Sequence, residues 1–260
     1  MAPFAGGPVR ILLANDDGIF ARGLRTLRTA LLDAGFHVRT VAPDREQSAS
    51  SHSITLDRPL RIRTHGENEW AVDGTPTDCV LVAVNGLLDE RPDVVVSGIN
   101  HGPNMGEDVN YSGTVAAAFE AHILGIPSLA ASMRDRDHGD YEAAARFVAQ
   151  LVADVDKWKG HGRGILNVNF PSGEASGWGE PRITRLGTRH YSDEIIEKED
   201  PRGRKYYWIG GAEPQWEGAE DTDFAVVHGG GVSMTPLHLD ITDEEALTML
   251  QDWTPRPVTS

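Results

Sequence analysis

The run Val9-Arg10-Ile11-Leu12-Leu13-Ala14-Asn15-Asp16-Asp17-Gly18 decides the fold. A short apolar stretch, with almost no polar alternation, ends in two adjacent carboxylates. A parallel strand buried on both faces reads this way. In open α/β sheets, ligands bind beyond the carboxyl ends of the strands. Asn15, Asp16 and Asp17 therefore fall where such a fold keeps its chemistry. Neighbouring carboxylates repel each other, and a divalent cation relieves that cost. Asp16 and Asp17 are thus candidate metal ligands. A bare Asp-Asp-Gly turn uses the same residues, and this stretch alone does not choose between the two.

Working outward, Leu24, Leu27 and Leu31 recur at helical spacing, and Gly35 stands where a helix would stop. His37 to Ala42 reads as a second strand closed by Pro43, which completes a strand–helix–strand unit. Short strands are predicted near Leu60–Arg63 and Trp70–Val72. Thr75-Pro76-Thr77-Asp78 opens a helix, with Thr75 as N-cap, Pro76 at the first turn and Asp78 placed to favour the helix dipole. Asp93–Ser97, Ser128–Ser132 and Ile165–Phe170 are further buried strands, with helices over Val115–His122 and from Ala144 to Val155. Alternating strands and helices point to one doubly wound, Rossmann-like, mainly parallel sheet in a three-layer α/β/α arrangement.

From Ser172 the texture changes and the helical period is lost. Arg182–Thr188, Tyr206–Ile209 and Phe224–Val227 read as strands of a C-terminal antiparallel extension, with a turn at Asp200–Gly203. Thr242-Asp243-Glu244-Glu245 has the form of a capping box before a last short helix. The expected organisation is a core over residues 1–171 and an extension over 172–260 that packs on it, one structural domain overall. Trp208, Trp216 and Trp253 in so polar a region suggest packing against the core or another subunit.

Two polar loops leave strand ends beside the Asp pair. Pro43 to Ser53 is serine-rich, and its hydroxyls suit a metal, a phosphate or plain solvent. Gly98 to Thr114 is long and glycine-rich, a length usually reserved for function or disorder. Asn100 and Asn104 in it are neutral oxygen donors suited to a magnesium-type ion or to phosphate. Ser112-Gly113-Thr114 stands at a helix N-terminus, where amides, hydroxyls and the dipole bind anions, or where a side chain simply caps. His101 is a proton-donor candidate; His122 reads as structural.

Composition narrows the function. The net charge of −15 repels a nucleic-acid polymer but leaves room for a small phosphate ester at a metal. No apolar run approaches the roughly 18 residues of a membrane span. Met1 to Pro8 lacks the basic, then apolar, pattern of a secretory signal. The single cysteine, Cys79, lies in an apolar run, allows no internal disulfide and fits a cytoplasmic setting. No G-x-G-x-x-G follows the first strand and no P-loop motif occurs anywhere.

Seven motifs then occur in register. They are Asn15-Asp16-Asp17-Gly18, Ala42-Pro43-Asp44-Arg45 with Ser48 after it, Gly74-Thr75-Pro76-Thr77-Asp78-Cys79, and Ser97-Gly98-Ile99-Asn100-His101-Gly102-Pro103-Asn104. Tyr111-Ser112-Gly113-Thr114, Arg189-His190-Tyr191-Ser192 and Ser233-Met234-Thr235-Pro236-Leu237 complete the set. From about Val9 to Leu250 the chain closely resembles the SurE family of metal-dependent 5′-nucleotidases. The resemblance implies hydrolysis of nucleoside 5′-monophosphates to nucleoside and phosphate, with 3′-nucleotides and short polyphosphate as further substrates. It implies one divalent cation per subunit, Mg2+ or Mn2+, held by Asp16, Asp17, Ser48 and Asn100. It places Asn104, Ser112, Gly113 and Thr114 at the border of the phosphate, and it implies a homodimer or homotetramer assembled through the extension. Gly229-Gly230-Gly231 departs from the family's usual Gly-Tyr-Val-like run, which bears on local packing or assembly rather than on the metal. The alternative is a non-catalytic nucleotide-binding regulatory protein on the same fold. A phosphoaspartyl phosphatase usually wants its two acids one residue apart, whereas here they are adjacent.

Overall fold

The computed structural model describes residues 8–160, 164–190, 194–210, 215–251 and 253. Residues 1–7, and Tyr191 and Ser192 of one motif, lie outside the described residues. The first strand, β1 (Arg10–Ala14), sends Ile11 and Leu13 into one apolar cluster and Leu12 and Ala14 into another. All four are buried, so both faces of the strand are core and its sequence has no polar alternation.

Helix α1 (Arg22–Asp33) buries Leu24, Leu27 and Leu31 at the predicted spacing. Each such side chain contributes about 2 kcal/mol of burial. Next come β2 (His37–Pro43), then β3 (Ile62–Gly66) and β4 (Glu69–Val72), which pair antiparallel. Helix α2 (Pro76–Val82) opens with Thr75 as the expected N-cap, and the structure adds a full capping box: Thr75 accepts from the Asp78 amide, and the Asp78 carboxylate accepts from the Thr75 amide. Strand β5 (Val94–His101) leads through a 3-10 turn at Gly106–Asn110 to α3 (Gly113–Ile123). Then follow β6 (Ser128–Met133), α4 (Tyr141–Ala153), the single turn α5 (Val155–Trp158) and β7 (Ile165–Phe170).

Strands β4, β2, β1, β5, β6 and β7 lie side by side in that order, all parallel. Side chains of α1 and α4 meet Ile11 and Leu13 on one face, and those of α2 and α3 meet Leu12 and Ala14 on the other. This is the expected three-layer α/β/α sandwich. From β1 the chain first fills one side of the sheet with β2 and β4, then returns to fill the other with β5, β6 and β7. The gap above β1 and β5 is the topological switch point.

The remaining elements are β8 (Arg182–Ile183), β9 (Thr188–His190), β10 (Glu194–Glu199), β11 (Lys205–Gly210), β12 (Gln215–Glu217), α6 (Asp223–His228), β13 (Ser233–Leu237) and α7 (Glu244–Leu250). β10 and β11 form one antiparallel pair, and β9 and β12 another. β13 joins the main sheet antiparallel to β7, and β8 lies parallel to β13 at the edge, for nine strands among the described residues.

Four expectations need correction. Phe224–Val227 is helical, because an apolar run of four carries no decisive period. Phe224 and Val227, three apart, both reach one small cluster with Met105, which is helical spacing. The stretch Arg182–Thr188 is two short strands, interrupted where the Gly187 amide turns to donate to Asp223. Strand β5 does not end at Ser97. After a register shift, Asn100 pairs with Ser132 and His101 with Met133, which shortens the loop behind it. The last helix is capped by Asp243, accepting from Ala246, rather than by Thr242.

Candidate active site

The carboxylates of Asp16 and Asp17 emerge at the carboxyl end of β1, at the switch point, and face different partners. Asp16 is 4% exposed and turns toward α3. The Thr114 hydroxyl donates to its Oδ1, and its carbonyl accepts from the Gln47 amide at 2.8 Å. Asp17 turns the other way. Its Oδ2 accepts from the His101 amide at 3.1 Å, and its Oδ1 lies 3.5 Å from His101 Nδ1. Chain reversal here is tight: Asn15 donates its side-chain amide to the Gly18 carbonyl at 3.0 Å, and Gly18 takes φ +97°.

Both carboxyl groups are pushed up to about 6. For Asp16 burial is the main cause; the Thr114 hydrogen bonds pull back down and the Asp17 charge adds to the rise. For Asp17 burial again leads, opposed by the His101 amide, raised by Glu46 and lowered by Arg136. Two desolvated carboxylates side by side are short of positive charge.

The residues present fit a hard divalent cation. Asn15 Oδ1 is buried without a hydrogen-bond partner. Asn100 donates its amide nitrogen to the Gly102 carbonyl at 2.9 Å, which leaves its oxygen as a donor. Among the described residues no group of three His, Cys, Asp or Glu side chains converges, so a set here consists of two carboxylates completed by neutral oxygens. Ser48 is exposed, and its hydroxyl donates to Glu46 Oε1 at 2.8 Å, so it is not turned to the pair.

The expected phosphate-bordering residues are placed as follows. Ser112 caps α3, its Oγ accepting from Val115 at 3.1 Å. Thr114 is committed to Asp16. At Gly113 a Cβ would stand 2.8 Å from both Asp16 Cβ and Ser50 Oγ, so the start of α3 packs directly on them and only glycine fits. Asn104 is a buried hub. Its amide donates to Asn169 Oδ1, its carbonyl accepts from Asn167 and Asn169, and its side chain donates to Ser132 Oγ at 2.8 Å. Asn167 and Asn169 sit two apart on β7, hence on one face, and the two together fasten the loop from below.

Sequence reading passed over Ser50. Its buried Oγ lacks a partner and flanks Gly113 opposite Asp16. Ala49 (φ 58°) and Ser51 (φ 52°) hold it there in the left-handed region. Nothing in the sequence separates it from its neighbouring serines. His52, in the serine-rich loop, pairs with Glu120 at 2.8 Å.

On the Asp17 side a cavity of about 360 Å3 opens, with His101 in its wall and Phe20, Arg22, Arg45 and Arg136 around it. A roomier groove of about 690 Å3 runs between α1 and α4, lined by residues such as Ala30, Phe36, Arg146 and Ala149. It is remote from the carboxylate pair, and the chemistry points to the smaller one.

Along most of its length the chain is similar to known proteins of one family. The family model described as Survival protein SurE matches residues 11–193. A relative from Geobacter sulfurreducens named 5′-nucleotidase SurE is 50% identical over 251 residues, 94% of each chain. A 5′/3′-nucleotidase SurE from Proteus mirabilis is 47% identical over 249 residues, 94% of this chain and 96% of that one. The crystal structure of the SurE protein from Aquifex aeolicus superposes with a TM-score of 0.82 at 41% identity, covering 93% of this chain and 98% of that chain.

Proposed function

The chain belongs to the SurE family, and from that premise we propose that it is a metal-dependent phosphomonoesterase acting on nucleoside monophosphates. The observation that carries the reading is the pair of buried, adjacent carboxylates at the switch point, both raised to about 6 and set against the start of α3. Nucleoside 5′-monophosphates are the proposed substrates, with 3′-nucleotides and short polyphosphate as further ones.

Asp16, Asp17 and Asn100 would hold one Mg2+ or Mn2+ ion, and Ser48 would join them by turning from Glu46. When bound, such an ion polarises a phosphoryl oxygen and neutralises its charge. The chain's own residues supply the rest. Thr114 fixes Asp16, and the His101 amide fixes Asp17, so neither carboxylate must reorganise during turnover. Ser112, Gly113 and Thr114 border the phosphate at the positive end of α3, while Asn104 holds the incoming loop rigid. His101, beside Asp17, would be the group placed to give the leaving oxygen its proton.

The core of residues 1–171 carries this chemistry in the proposal, and the extension of 172–260 assembles a homodimer or homotetramer. Exposed Ile195, Tyr207 and Trp208 on the β10–β11 hairpin support self-association. Among the described residues no helix is long and apolar enough to cross a membrane. A cytoplasmic setting belongs to the same reading and accords with Cys79, a buried free thiol.

The test is phosphate release from a panel of 5′- and 3′-nucleoside monophosphates, with EDTA and with Mg2+ or Mn2+ added back. Metal-dependent release is expected. A folded protein that releases none with either metal, yet binds nucleotide, would instead be a regulatory binding protein.

A further inference from the structure

Phe20 is a large apolar side chain left 69% exposed, three residues beyond Asp17. It is not on a loose segment. Ile19 beside it is buried and its amide donates to the Pro43 carbonyl at 2.9 Å, while the Ala21 amide donates to Gly18 at 3.0 Å. The turn therefore presents Phe20 from a fixed base. The Phe20 and His65 rings meet in a T-shaped contact, at 5.1 Å between centroids and 85° between planes. Phe20 and Asp17 line the same cavity of about 360 Å3, a size in the range of small-ligand sites.

The cavity's charges are also unusual for this protein. In a chain of net charge −15, Arg22, Arg45 and Arg136 line it together with Asp17, Asp44 and Glu46, so its formal charges balance. Arg136 is close enough to act on both Asp17 and His101. Arg22 is held over the Tyr141 ring at 4.9 Å. The acidic character of the molecule as a whole is therefore locally cancelled on the Asp17 side, which spares a nucleotide the repulsion it meets elsewhere. The two carboxylates divide the site: Asp16 faces α3, where the phosphate would lie, and Asp17 faces the cavity with Phe20 and the three arginines.

We propose that this cavity is the leaving-group subsite, with Phe20, backed by His65, as the platform on which the nucleobase stacks. An exposed ring tolerates every base, because each offers a π-face and no hydrogen-bond code is read. The subsite selects nucleotides over phosphate esters that lack a ring, without choosing strongly among bases. The assignment rests on the phosphomonoesterase reading above and deepens it.

The experiment compares kcat/KM for adenosine and uridine 5′-monophosphates with kcat/KM for glycerol 2-phosphate, in Mn2+, for wild type, Phe20→Ala and Phe20→Tyr. Loss of one base–aromatic stack lowers affinity roughly ten-fold or more. The nucleotide-to-glycerol-phosphate ratio is therefore expected to fall about ten-fold in Phe20→Ala, mainly through KM, and to be retained in Phe20→Tyr. An unchanged ratio in Phe20→Ala, whether both substrates fall together or neither falls, overturns the subsite while leaving the enzyme reading intact. Wild-type protein that releases phosphate from neither nucleotide overturns the enzyme reading and the subsite with it.

Discussion

Thr114 and Asp16 are 98 residues apart in the chain, yet the Thr114 hydroxyl donates to the Asp16 carboxylate inside the core. The contact welds the end of β1 to the first turn of α3 and orients one of the two acids. Outer partners of this kind are typically worth 10–100-fold in metal affinity or activity. Thr114→Val keeps the shape and removes the donor, so kcat/KM is expected to fall by about that factor. Thr114→Ser should recover most of it. Steady-state phosphate release on the three proteins checks this.

Asp16→Asn and Asp17→Asn should each remove most turnover without unfolding the chain. Neutralising a desolvated carboxylate that sits beside another relieves repulsion rather than leaving a void. Thermal melts in EDTA are expected to show an unchanged or raised Tm for both variants. Near-wild-type turnover in both would end the assignment of the pair.

Cation binding should weaken in acid. Both groups are raised to about 6 from 3.8, so the folded, metal-free chain takes up protons that the unfolded chain does not take up between those values. Unfolding free energy contributed by the pair therefore falls as pH rises from about 4 to about 6 in EDTA. With Mn2+ the ion competes with those protons, and its stabilising effect should fade as pH drops through about 6. Melting temperatures with and without Mn2+ across pH 5 to 8 test both signs. In Asp16→Asn and Asp17→Asn the slope in EDTA should be shallower.

Asp223 should matter for stability from well outside the carboxylate pair. It is fully buried, burial raises its pKa, and its carboxylate accepts from the amides of Gly106, Gly187 and Phe224 at 2.8 to 2.9 Å. It ties the loop after β5 to the extension. Asp223→Ala strands those donors, at a cost of about 1–3 kcal/mol for each one left buried and unpaired. Urea unfolding should show that loss, with Asp223→Asn falling between wild type and alanine because one carbonyl oxygen remains.

The parallel core was legible because burial on both faces, or on one helical face, writes itself into local pattern. Ile11 to Ala14, and Leu24, Leu27 and Leu31, needed no tertiary information. The Thr75 cap was equally plain, since a cap is satisfied within four residues, although the return bond to the Asp78 carboxylate was not read. What stayed hidden depends on residues distant in sequence. Phe224 and Val227 are helical because Met105 meets both on one side. Asn100 and His101 extend β5 because β6 supplies partners across a register shift. In the site, the motif positions near Asp16 were visible, but their division of labour was not. That Ser112 caps, that Thr114 holds Asp16 and that Ser50 flanks Gly113 follow only from how α3 meets β1.

The antiparallel contact of β13 with β7 sets a timetable for synthesis. Ser233 to Leu237 lies against Asn169 to Ile165, so the edge of the parallel core stays open until that later segment has also left the ribosome. In that interval β7 presents unpaired backbone beside a fully buried apolar row, the kind of edge on which nascent chains pair with one another. Closing the sheet late makes the nascent chain depend on fast delivery of its own C-terminal strand, or on chaperone cover until that strand arrives.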